Sequence, residues 1–367
     1  MSKESPIKKA CASRLQQELD ALHEHRASGG KVAGYTCHAF PAALIAGLGM
    51  RPVRLLCGTS AETESAGEKV VRPDICPLVK TLLGSVSENR GLHADIDLWI
   101  GLFTCDQMRR GMDLLSTNLN KEVHFLQLPA TRTKEAADYY ADQVRRVVDD
   151  IASRQDVHFD ALLARAWQEE RDKAAAVLSA AARSGHVSPL DLHSMFHLYF
   201  IARPEGLAEF FTALLDRSDK FAGARTLVLS GSPLTREDTV LLEDLQKRGC
   251  AVLPLNCTGL NAVEEGEEKI DGDDLVRSLA LRSFYKPTCM RSRPNTAVYD
   301  RIRSIMNTTK ASGLIVKSLK YCDHWYTERE RLRRSFDVPV LVFDSDYAEG
   351  GKERLLSRID AFLETIE

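Results

Sequence analysis

Residues 97–115 read DLWIGLFTCDQMRRGMDLL, an apolar run that ends at a cysteine and passes straight into a helical pattern. The run at 97–104 has no polar alternation. Such a strand is covered on both faces, as in a parallel sheet flanked by helices. Cys105 opens the following helix at 106–115, and VHFLQL at 123–128 gives the next strand, ended by Pro129. Strand, helix and strand at this spacing predict a βαβ unit.

The alternation continues outward from that unit. Upstream, 5–26 reads as a charged helix stopped by Ser28-Gly29-Gly30, followed by a strand at 32–36, a helix at 39–48 and a strand at 52–56. Downstream, 134–216 carries successive helical stretches with apolar residues three and four apart and no strand pattern. Alternation returns with strands at 226–230, 251–255, 313–319 and 338–343. Helices are expected at 236–247, 295–308, 326–333 and 352–366, and a solvated acidic loop at 258–274. The expected fold class is α/β, with two doubly wound Rossmann-like domains on parallel sheets plus a helical subdomain. The expected domains are an N-terminal helix (1–30), a first α/β domain (31–132), a helical subdomain (133–222) and a second α/β domain (223–367). The two α/β halves could be pseudo-duplicates.

The chain has 367 residues, 49 basic against 52 acidic, and a formal charge of −3. That balance gives no general pull toward nucleic acid or membrane. The start reads as an amphipathic helix rather than a signal peptide, and no apolar run approaches the ~20 residues that span a bilayer. A cytoplasmic protein is expected. The nucleotide-binding patterns G-x-x-x-x-G-K-[ST] and G-x-G-x-x-G are absent, as are H-E-x-x-H, G-x-S-x-G and C-x-x-C.

Nine cysteines in a reducing compartment need another explanation than disulfides. Cys105, Cys257 and Cys322 follow strands, where ligands of open α/β sheets bind. Cys105 and Cys322 also open helices, whose N-termini stabilise thiolates. Cys76 precedes Pro77 at a helix start, and Cys37 and Cys289 lie at comparable boundaries. Any one of these, taken alone, reads equally well as a small buried residue. Cys11 and Cys250 are assigned to packing, and Cys57 leans the same way.

With these residues in view, GYTCHAFP (34–41), ALIAGLGMRPVRL (43–55), ICPLVKTLLG (75–84), TCDQMRRGMDLL (104–115), SGSPL (230–234), NCTG (256–259), PTCMRSRPN (287–295) and KYCDHW (320–325) together resemble the 2-hydroxyacyl-CoA dehydratase / benzoyl-CoA reductase superfamily. The resemblance implies a cluster held in the cleft between two α/β domains. Dehydratase subunits hold one 4Fe–4S cluster by three cysteines. The double-cubane branch holds an 8Fe–9S group by six, and the matching positions here are Cys37, Cys76, Cys105, Cys257, Cys289 and Cys322. It also implies a separate ATP-hydrolysing activator with its own 4Fe–4S cluster as electron donor.

Three readings follow. The first is a double-cubane iron–sulfur reductase, a homodimer that reduces a small molecule. The second is a 4Fe–4S subunit of a (R)-2-hydroxyacyl-CoA dehydratase (a lyase, working through a ketyl radical) or of an aryl-CoA reductase, with a related second subunit and a CoA pocket. The third is an electron relay with no substrate of its own. His38 is the candidate catalytic residue, as a proton donor or a hydrogen-bond partner of a cluster sulfur. Lys80 could offset cluster charge, although a solvated lysine is the plainer reading. Arg291 and Arg293 could form a basic lip, and Ser230, Gly231 and Ser232 could offer backbone N–H groups. His193, His197, Tyr199 and Phe200 are expected to pack.

Overall fold

The computed structural model describes residues 5–55, 60–236, 238–264, 274–287, 289–347 and 352–366. One sheet consists of β1 (Val32–Tyr35), β2 (Arg51–Arg54), β3 (Leu98–Phe103) and β4 (Glu122–Gln127), all parallel, in the order β2-β1-β3-β4. A second consists of β5 (Arg225–Gly231), β6 (Cys250–Asn256), β7 (Gly313–Leu319) and β8 (Val340–Ser345), also parallel, in the order β6-β5-β7-β8. The two sheets therefore share one winding, and the fold is α/β as the strand pattern predicts.

Before and within the first sheet run α1 (Pro6–Ala27), α2 (Ala43–Gly47), α3 (Ala61–Gly67), α4 (Pro77–Ser87) and α5 (Asp106–Thr117). Between the sheets in chain order come α6 (Lys134–Gln155), α7 (Ala161–Ser184), α8 (Pro189–Ile201) and α9 (Leu207–Asp216). The second half adds α10 (Val240–Lys247), α11 (Leu260–Val263), α12 (Leu275–Phe284), α13 (Thr296–Thr309), α14 (Asp323–Tyr326), α15 (Arg329–Arg334) and α16 (Lys352–Glu364). Among the described residues no helix is long and apolar enough to cross a membrane.

The continuous apolar runs become strands because both faces are covered. On β3, Leu98, Ile100 and Leu102 enter a core shared with α2 and α6, while Trp99 enters another with α4 and α5. On β5, Val228 faces one core, and Leu227 and Leu229 face the other. From β1 the chain winds to β2 on one side and to β3 on the other. The crevice beyond the carboxyl ends thus opens between β1 and β3, and between β5 and β7 in the second sheet.

Several boundaries differ from the sequence reading. The helix expected at 236–247 begins only at Val240, and the turn ahead of it is fixed by cross-loop bonds. Ser232 N donates to Lys317 O (2.7 Å) and Leu234 N to Thr258 Oγ1 (2.9 Å). The helix expected at 39–48 is confined to α2, and the one expected at 326–333 is split into α14 and α15. Two helices, α3 and α12, were not anticipated at all. Of the acidic loop expected at 258–274, residues 260–263 form α11, while 265–273 lie outside the described residues.

Candidate functional site: a six-cysteine cavity

One cavity of about 190 Å³ is lined by Cys37, Cys76, Cys105, Cys257, Cys289 and Cys322 together. The two sheets supply them from corresponding places. Cys37 follows β1, Cys105 follows β3, Cys257 follows β6 and Cys322 follows β7, while Cys76 and Cys289 come from the connecting segments. All six are free thiols, partly exposed rather than sealed in the core. Cys11 and Cys250 are buried elsewhere, packed against apolar neighbours, and Cys57 lies outside the described residues.

The six divide into two sets of three. Ionising Cys322 or Cys105 would raise Cys76, and ionising Cys105 would raise Cys322, so these three are neighbours. Ionising Cys37 or Cys289 would likewise raise Cys257, and ionising Cys37 would raise Cys289. A wider outer pocket repeats the division, since it is lined by Cys76, Cys105 and Cys322 with none of the other three. Each set draws on both sheets.

The two sets also differ in how negative charge would be offset. Cys76, Cys105 and Cys322 are the N-caps of α4, α5 and α14, and Cys105 Sγ accepts from Met108 N (3.4 Å). Positive helix ends and free N–H groups therefore meet the first set. Around Cys37, Cys257 and Cys289 the compensation comes from side chains. Arg54 Nη1 donates to Cys257 O (2.5 Å), and Arg291 lowers the Cys289 thiol against the effect of burial.

Burial nevertheless dominates for the free thiols. It pushes Cys76 up to about 12 and Cys257 up to about 11, and raises Cys105, Cys289 and Cys322. These are protonated thiols at neutral pH, and a metal must displace their protons to bind. Among the described residues, no group of three His, Cys, Asp or Glu side chains is set to hold a single metal ion. A mononuclear ion needs its donors all within about 2.0–2.3 Å of one point. A polynuclear sulfide core suits thiols spread around a larger space.

His38 lines the same cavity, and its Nδ1 is buried without a hydrogen-bond partner. Burial first, then the charges of Arg54, Lys286, Arg291 and Arg132, hold its pKa well below the ordinary histidine range. Ser230, Gly231 and Ser232 line the cavity as well. At Gly231 (φ +114°) a Cβ would come within 2.0 Å of Lys317 O, so this turn requires glycine. Ser232 Oγ accepts from Leu319 N (3.1 Å), tying the β5 turn to the end of β7 just before Cys322. Arg291 reaches the cavity and donates to Pro129 O (2.8 Å). Arg293 is exposed, and its guanidinium donates to its own loop at Met290 O and Ser292 O.

Lys80 is neither solvated nor among the residues lining the cavity. It is buried, with Nζ 2.7 Å from Glu64 and 3.0 Å from Glu68, and joins α4 to α3. Sequence reasoning missed Arg54, buried at the carboxyl end of β2 with Phe200 4.5 Å beneath its guanidinium. The available signal was RPVR itself, an arginine inside a strand flanked by apolar segments.

The structure is thus an α/β protein with a cavity of thiols at the carboxyl ends of two identically wound sheets. The family model of the 2-hydroxyglutaryl-CoA dehydratase D-component matches residues 37–366, and the chain belongs to that family. It is 21% identical over 333 residues to an Escherichia coli (strain K12) protein named as a dehydratase subunit, YjiM, covering 85% of each chain. Among solved structures, the SBP FpvC from Pseudomonas aeruginosa in complex with Mn2+ is similar at 11% identity. That match covers 92% of this chain and 98% of that one, and its TM-score of 0.23 carries no structural argument.

Proposed function

We propose that the thiol cavity holds an iron–sulfur group, gripped by one set of three cysteines, and that this chain is the cluster-bearing component of a dehydratase-type enzyme acting on an acyl-CoA. In this reading a separate ATP-hydrolysing activator with its own 4Fe–4S cluster delivers the electrons. The family supports the dehydratase frame. The observation that carries the cluster is the single cavity lined by all six sequence-selected thiols. When bound, such a group supplies one-electron chemistry at a low potential set by charge, burial and hydrogen bonds.

The protein's own residues have definable tasks. The α4 and α5 N-termini stabilise Cys76 and Cys105 as thiolates, and Arg54 and Arg291 do so for Cys257 and Cys289. Neutral His38 keeps a proton at the cavity wall. A wider pocket lies beside Cys76, Cys105 and Cys322, lined also by Tyr321 and Asp323.

The three-and-three division supports a second reading, in which both sets are filled by an 8Fe–9S double cubane and the chain works as a homodimeric reductase. Anaerobic reconstitution with iron and sulfide analysis distinguishes them. About eight irons per chain, falling by half in both Cys105→Ala and Cys257→Ala, supports the double cubane. About four, lost in only one of the two variants, supports the dehydratase subunit. No iron retained above that of a variant lacking all six thiols overturns both.

A further inference from the structure

Behind the thiol cavity lies a second, smaller one of about 40 Å³ that shares only His38 and Arg54 with it. Four cationic side chains line it, Arg54, Arg171, Arg282 and Lys286, and among the described residues no carboxylate does. All three arginines are buried, at 3%, 7% and 7% exposure. Asp172 answers Arg282 at 2.8 Å. The hydrogen bonds of the other three go to neutral carbonyls. Arg54 donates to Cys257 O, Arg171 to Tyr199 O, and Lys286 to Ala262 O (3.2 Å), while Arg54 Nε is buried with no partner at all. Arg171 also lies 3.4 Å over the Tyr199 ring.

Four cations around one empty space, with Asp172 the one carboxylate paired with any of them among the described residues, are costly to bury. A group held by the cysteines would answer Arg54, which lines both cavities. Arg282 is paired with Asp172, but Arg171 and Lys286 do not line the thiol cavity and pair with no carboxylate among the described residues, so their charge calls for an anion of its own. The space holds about three water-sized groups, the size of a carboxylate or a phosphate and too small for a nucleotide.

We propose that this pocket binds a small anion, through one carboxylate or phosphate group clasped by Arg54, Arg171 and Lys286, at a site distinct from the thiol cavity. The inference goes beyond the cluster reading and does not depend on it. Calorimetric titration of the full-length protein with sodium acetate and with inorganic phosphate, at constant ionic strength in chloride, tests it. Saturable one-to-one binding is expected. Acetate alone would identify a carboxylate ligand and phosphate alone a phosphate ligand, and response to both would mean that the site reads charge. Arg171→Gln and Lys286→Gln should each weaken binding by more than about tenfold. Arg145→Gln, at an exposed pair with Asp274, should leave it unchanged. Lys286→Gln decides the matter if Arg171→Gln fails to fold. No saturable binding of either anion, or binding undiminished in a folded Lys286→Gln, overturns the proposal. Iron content of the same samples reads the cluster proposal separately.

Discussion

At the scale of single residues, the buried ionisable groups make the sharpest predictions. Glu18 in α1 sits at 1% exposure and accepts from Arg51 Nη2 at 2.8 Å, with Arg14 and Arg203 also in contact. Burial alone would raise its carboxyl, but the bonds from Arg51, Arg203 and Arg14 bring it below the ordinary value. Glu18→Ala strands Arg51 and should cost about 3–5 kcal/mol in urea unfolding. Two histidines set an acid limit. Burial lowers His93, stacked on Trp99, and His193 to about 4 each. The unfolded chain therefore takes up protons first as pH falls, so stability is full above about 6.5 and declines from there toward 4. Each histidine contributes at most about 3 kcal/mol to that decline. Melting temperatures between pH 7 and 5 should show the slope, and His93→Phe, which keeps a ring against Trp99, should flatten it.

At the scale of elements, α3 and α4 interlock through glycines rather than through large side chains. A Cβ on Gly84 would lie 1.9 Å from Thr63 O, and one on Gly67 would lie 2.1 Å from Lys80 O. The atoms met are backbone, so they cannot swing aside. Gly84→Ala should destabilise by about 1–3 kcal/mol or more and loosen Cys76 at the head of α4, read as faster alkylation of that thiol. The strands were legible in the sequence because buried parallel strands are written as unbroken apolar runs, as in LWIGLF (98–103) and AVLPL (251–255). Helix α12 was not, because Arg282 falls within its buried face and the segment follows an acidic stretch that reads as loop; its Asp274 N-cap and packing against α6 make LVRSLALRSF helical. Arg54 was hidden for a related reason. A guanidinium at a strand end looks the same in sequence whether it faces solvent or a buried cavity.

At the scale of the molecule, the six cysteines were legible one by one, but their division into two sets was not. That division depends on how the two sheets face each other across the cavity, which no local spacing encodes. Gln107 is one of the ties between them: its Oε1 accepts from Cys76 N, and its Nε2 donates to Tyr321 O at 3.1 Å. Gln107→Ala should release the second half locally, so that Cys76, Cys105 and Cys322 react faster with iodoacetamide while Cys37, Cys257 and Cys289 keep their rates. Equal acceleration of all six would mean that the whole cavity opens as one.

The way the triads borrow across the sheets also fixes what a broken gene could make. A polypeptide ending after α9 would still carry Cys37, Cys76 and Cys105, yet these belong to different threesomes, two to one and one to the other. The complementary fragment would carry the mirror shortage. Neither severed half would own a complete set of sulfurs, so the group proposed above could be caged only by the unbroken chain.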